Sequence, residues 1–107
     1  MPLPKRKGPP LDGAAVADLL PSVPVWTVKA GKRIEREFKF PDFKSALAFA
    51  NRVGAVAEAE KHHPDLLVAW GKVGIVLTTH SAGGLTENDF ALAVLIDGLD
   101  AARKETP

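Results

Sequence analysis

The sharpest constraint in this sequence is a change of hydrophobic period at Pro41-Asp42. Before it, Arg33 to Phe40 alternates, with Ile34, Phe38 and Phe40 on one face and Arg33, Glu35, Glu37 and Lys39 on the other; only Arg36 breaks the pattern. A period of two with one polar face predicts a half-buried antiparallel strand. After the junction, Phe43, Ala46, Leu47, Ala50, Val53, Gly54 and Ala57 recur at three- and four-residue steps, the spacing of a helix with one apolar face. Asp42 is a suitable N-cap for that helix. Pro64 forbids its continuation and pushes His63 out of the α region, so the helix is expected to end near Lys61.

The flanking segments extend the same logic. Asp12 can cap a short helix over Gly13 to Leu20, closed by Pro21. Val25 to Lys29 predicts a strand with Trp26 and Val28 sharing a face, followed by a hairpin-sized break at Ala30-Gly31-Lys32. Leu66 to Trp70 is a second short strand, and Gly71-Lys72 has the length and leading glycine of a type II′ turn. Val73 to Thr79 returns, with Val73, Ile75, Leu77 and Thr79 on one face and Gly74, Val76 and Thr78 on the other. Ser81 to Gly84 is a tight loop. Thr86-Glu87-Asn88-Asp89 resembles a capping box, with Leu85 and Phe90 as its hydrophobic staple, and opens a last helix from Glu87 to about Ala102.

The order is therefore α-β-β-α-β-β-α: an α+β fold with a four-stranded antiparallel sheet and three helices packed on one face. Residues 1–10 hold four prolines and three basic residues and are expected to form a flexible tail; 11–107 form a single domain. The last helix is apolar on more than one side through Phe90, Leu92, Val94, Leu95, Ile96 and Leu99, and oligomerisation is the expected sink for that surface.

Composition narrows the function classes. With a formal net charge of +1, the chain has no broad basic or acidic field for nucleic acid or a membrane surface. It has no cysteine, which removes disulfides, thiolate catalysis and Cys-ligated zinc. No apolar run reaches the ~18 residues of a membrane span, and no apolar core follows the basic N-terminal residues as in a secretory signal. A cytoplasmic location is expected.

The three histidines all stand at element ends, where side chains are often displayed into clefts: His62 and His63 after the central helix, His80 after the fourth strand. Without cysteine, histidine is the side chain that titrates near neutrality without a shift. A histidine metal site is conceivable, but adjacent His62 and His63 lack the spacing that converges two rings on one ion. Trp26 and Trp70 suit core packing or a flat wall for a flat heterocycle. Glu58 stands one turn before His62, where a helix neighbour would favour the imidazolium form. Asp89 most simply stabilises the last helix through its first turn.

At these residues the chain resembles the pterin-4a-carbinolamine dehydratase family. Glu58, then Ala59-Glu60-Lys61, then His62-His63-Pro64, is followed by Trp70, His80 and Asp89, and the flanks Leu77-Thr78-Thr79-His80 and Gly84-Leu85-Thr86 agree. Asn88 departs from the arginine that often precedes the aspartate, and Gly74 from a polar side chain in some members. The resemblance implies dehydration of 4a-hydroxytetrahydropterin to quinonoid dihydropterin, as in tetrahydrobiopterin recycling, with pterin as substrate and no cofactor. Carried over by position, His62 and His80 become the acid-base pair. His63, Trp26, Glu58, Pro64, Trp70 and Asp89 become substrate-binding positions. Which histidine is acid stays open, with Glu58 favouring His62. The family also implies a homodimer or homotetramer, and a possible protein partner, since its animal members serve as dimerisation cofactors for a homeodomain transcription factor. The competing readings are a non-catalytic binding module on the same fold and a metal-binding protein.

Overall fold

In the computed structural model, which describes residues 9–105, the junction at Pro41-Asp42 separates a strand from a helix as the change of period requires. Along the chain run α1 (Gly13–Leu19), a 3-10 turn (Leu20–Ser22), β1 (Thr27–Lys29), β2 (Arg33–Lys39), α2 (Phe43–Glu60), β3 (Asp65–Ala69), β4 (Lys72–Leu77), a second 3-10 turn (His80–Ala82) and α3 (Glu87–Glu105). The sheet order is β1-β2-β4-β3 with every pairing antiparallel, and the helices cover one face. Residues 1–8 of the expected tail lie outside the described residues.

Both hairpins are set by residues in left-handed conformation. In the first, the Lys32 amide donates to the Lys29 carbonyl (3.0 Å) while Ala30 and Gly31 have φ of 54° and 66°. Two positive values in a row are the type I′ geometry that matches strand twist. The second hairpin corrects the expected turn. Ala69 pairs with Lys72, so the turn residues are Trp70-Gly71 rather than Gly71-Lys72. Gly71 sits in the second position with φ of 74°, a conformation tryptophan avoids, and a Cβ there would come within 3.2 Å of the Phe40 carbonyl. The first strand is also shorter than expected, because the Trp26 amide donates to the Val23 carbonyl (3.0 Å) in a turn before β1 begins.

The core joins Ile34 and Phe38 of β2 and Val73, Ile75 and Leu77 of β4 to α2 and α3. On α2 the buried residues are Ala46, Phe49, Ala50, Val53 and Ala57. Phe49 lies between the rings of Phe38 and Phe40, with centroids 5.0 and 5.2 Å away. The expected stripe was therefore rotated too far to one side: Phe43 and Leu47 remain 46% and 43% exposed. Burying the Phe49 ring contributes about 2–3 kcal/mol.

Arg36 breaks the alternation of β2 because it points towards α3. Its guanidinium contacts Asp97 Oδ1 (2.6 Å) and Asp100 Oδ2 (3.4 Å) and lies 4.2 Å from the Phe38 ring centroid. An ion pair thus replaces an apolar contact where the second half of α3 crosses the sheet. On the other side of the sheet, a hollow of about 490 Å³ is lined by residues including Val25, Leu67, Gly74 and Val76. None of the three histidines lines it. On α3, Phe90, Leu92, Ala93 and Ile96 are buried, whereas Val94 and Leu95 stay exposed.

Candidate functional site

The C-terminal closure of α2 decides where His62 goes. Lys61 adopts φ of 55°, its amide donates to the Glu58 carbonyl (3.2 Å), and the His62 amide donates to the Ala57 carbonyl (3.1 Å). These two bonds are the Schellman closure of a helix end, here built on a lysine in place of the usual glycine. The chain therefore leaves the helix axis at Lys61, and His62 turns towards the start of α3. Pro64 next disfavours the α region for His63 and leads into β3.

His62 meets Asp89 there: ring Nε2 lies 2.6 Å from Oδ1 of a fully buried carboxylate. Asp89 is held from three directions. Its Oδ2 accepts from the Thr79 hydroxyl and from the Thr86 amide, both at 2.9 Å, while Oδ1 faces the histidine. The Asn88 amide donates to Thr86 Oγ1 (3.3 Å), which completes the capping box expected at this helix start, with Leu85 and Phe90 both buried beside it. Asp89 thus serves as helix cap and as partner of His62 at once. His80 follows Thr79 directly and is exposed. The ends of α2 and β4 and the start of α3 so bring His62, His63, His80 and Asp89 to one end of the molecule.

The expected His62–Glu58 pair is corrected. Helical one-turn adjacency does not extend past Lys61, and Glu58 Oε2 instead contacts His63 Nε2 (2.8 Å), with both side chains largely exposed. An exposed pair of this kind adds little to stability. Neither tryptophan reaches the histidines. Trp26 is 4% exposed, packs edge-on against Phe38 and donates its indole N–H to Asp97 Oδ1 (2.8 Å). Asp97 lies eight residues beyond Asp89, which is roughly 12 Å along a helix. Trp70 is 74% exposed in the β3–β4 turn. His80 lies past the far end of β4, roughly 17 Å away along the strand. The substrate-binding role expected of these two side chains has no geometric support within the chain.

Thr79 and Thr86 are the site residues that sequence reasoning missed. Their hydroxyls lie 2.8 Å apart and both are buried. The available signal was a threonine continuing the apolar face of the expected Val73 to Thr79 strand, where a buried hydroxyl needs a partner. Among the described residues, no group of three or more His, Asp or Glu side chains is placed to hold a metal ion, and no helix is long and apolar enough to cross a membrane.

Comparison with known proteins bears on this arrangement. A family model described as pterin 4 alpha carbinolamine dehydratase matches residues 9–99. A protein of Chlorobium limicola is 48% identical over 95 residues, covering 86% of this chain and 84% of its own. One of Rubrobacter xylanophilus is 43% identical over 91 residues, covering 85% of each. Both carry the name "Putative pterin-4-alpha-carbinolamine dehydratase". Among solved structures, a transcriptional coactivator/pterin dehydratase from Brucella melitensis superposes with a TM-score of 0.78 at 32% identity, over 84% of this chain and 97% of that one. A pterin dehydratase-like RuBisCO assembly factor of the alpha-carboxysome shares the fold, with a TM-score of 0.56 at 23% identity over 69% of this chain and 84% of that one.

Proposed function

This chain belongs to the pterin-4a-carbinolamine dehydratase family, and we propose that it carries out that chemistry: loss of water from 4a-hydroxytetrahydropterin to give quinonoid dihydropterin, in the recycling of tetrahydrobiopterin. The observation that carries the reading is the His62–Asp89 pair (2.6 Å) with His80 beside Thr79 at the same end of the fold. The reaction breaks the C4a–O bond, forms the N5=C4a bond, and releases the hydroxyl as water and the N5 proton to a base. Oxidation states do not change, so histidine proton transfer suffices and no cofactor is required. Hydroxide leaves poorly, so one histidine donates a proton to it while the other accepts from N5. His62 and His80 take these roles, and exposed His63, with Glu58 against it, binds the pterin.

A second reading, a protein-binding or transcriptional dimerisation module, is favoured by one observation: Val25 and Leu67 are 59% and 62% exposed at the hollow on the uncovered face of the sheet. Titration with a stable dihydropterin separates the two readings. The lyase reading expects saturable binding that perturbs the ring resonances of His62, His63 and His80 and weakens in His63→Ala. A folded protein that leaves all three rings unmoved would favour the binding module.

A further inference from the structure

The proton of every hydroxyl around Asp89 is already assigned by its neighbours. A carboxylate can only accept, and the Thr79 hydroxyl donates its one proton to Asp89 Oδ2 (2.9 Å). The Thr79–Thr86 contact (2.8 Å) must then run from Thr86 to Thr79, and Thr86 in turn accepts from the Asn88 amide (3.3 Å). All donors therefore point one way, into a carboxylate that is fully buried. Oδ2 is filled by Thr79 and by the Thr86 amide, which leaves Oδ1 for the imidazole. The nitrogen facing Oδ1 is Nε2, so Nε2 carries a proton and the neutral ring keeps its lone pair on Nδ1.

We propose that Thr79 is a positioning residue for His62: by giving its single proton to Oδ2 of Asp89, it holds the carboxylate with Oδ1 towards the ring, fixes the Nε2–H tautomer and makes Nδ1 the nitrogen that exchanges a proton with the ligand. The exchange itself rests on the lyase reading; the tautomer does not. The same hydroxyl belongs to the residue immediately before His80, so one side chain ties the two histidines to a common anchor.

Nitrogen-15 NMR of the ligand-free protein, at a pH where the ring is neutral, reads the tautomer directly. In the wild type the protonated nitrogen of His62 is expected at Nε2. Thr79→Val keeps the side-chain shape but removes the donor; it is expected to give a mixed tautomer and to slow dehydration by about 10- to 100-fold, chiefly in kcat. Thr79→Ser is expected to restore both. A wild-type His62 protonated at Nδ1 overturns the proposal, and does so even if Thr79→Val fails to fold. So does a folded Thr79→Val that keeps the pure Nε2–H tautomer and the full rate. A wild type with the expected tautomer, lost in a folded Thr79→Val, but with no acceleration retires the lyase reading and upholds the positioning role.

Discussion

A buried carboxylate is stable only when its lone pairs are taken, and Asp89 has them taken by the His62 ring, the Thr79 hydroxyl and the Thr86 amide. Replacing it tests both of its functions. Asp89→Asn puts an amide N–H₂ where acceptors are needed, against at least one of three donors. The expected result is a loss of about 2–4 kcal/mol in denaturant unfolding, together with a loss of activity. His80→Ala is different in kind. Its side chain is exposed and holds no part of the core, so the melting temperature should stay close to wild type while activity falls. A cooperative loss of fold in His80→Ala would reassign that residue to structure.

At the scale of elements, the ends of α2 carry the consequences. Asp42 accepts from the Ser45 amide (2.7 Å), and that bond holds its carboxyl below the ordinary carboxylate range. A folded-state value below the unfolded one stabilises the protein above the unfolded value, and the benefit is lost as pH falls through the folded one. The gap in melting temperature between wild type and Asp42→Ala should therefore narrow as pH drops below about 4. A gap that stays constant to pH 2 would remove the charge from the explanation. At the other end, Lys61 occupies left-handed space at φ of 55°. Lys61→Val places a β-branched residue there and should cost about 1–2 kcal/mol in unfolding free energy, with His62 losing its fixed approach to Asp89.

The elements themselves were legible in the sequence because each obeyed a local rule: alternation in β2, a capping box at Thr86 to Asp89, proline at 64. What escaped was tertiary. The break at Arg36 has its explanation 61 residues away at Asp97. Glu58 was assigned to His62 because helical spacing was carried one residue past a helix that Lys61 ends. The two tryptophans looked equivalent as aromatic strand residues, yet one is core and the other a turn tip; nothing in local spacing separates them. Asp89 as the partner of His62 follows from the fold bringing residues 27 apart together.

On the scale of the whole molecule, the single chain leaves Val94 and Leu95 of α3 exposed at 46% and 41%, and Phe43 and Leu47 of α2 exposed as well. Apolar surface of this kind points to self-association. Sedimentation at micromolar concentration should give a species larger than the 11.4 kDa chain, consistent with a homodimer or homotetramer. A clean monomer would contradict that account of the helix face and leave the histidine site untouched.

The central claim is that the His62, His80 and Asp89 cluster removes water from a hydroxylated pterin. Its most direct test is the ultraviolet absorbance change of freshly generated 4a-hydroxytetrahydropterin, followed with and without the protein and with His80→Ala. The uncatalysed dehydration proceeds by itself, so the reading is acceleration above that background. The account predicts clear acceleration by the wild type and its loss in a folded His80→Ala; no acceleration by well-folded wild type, or equal acceleration by the variant, would contradict it.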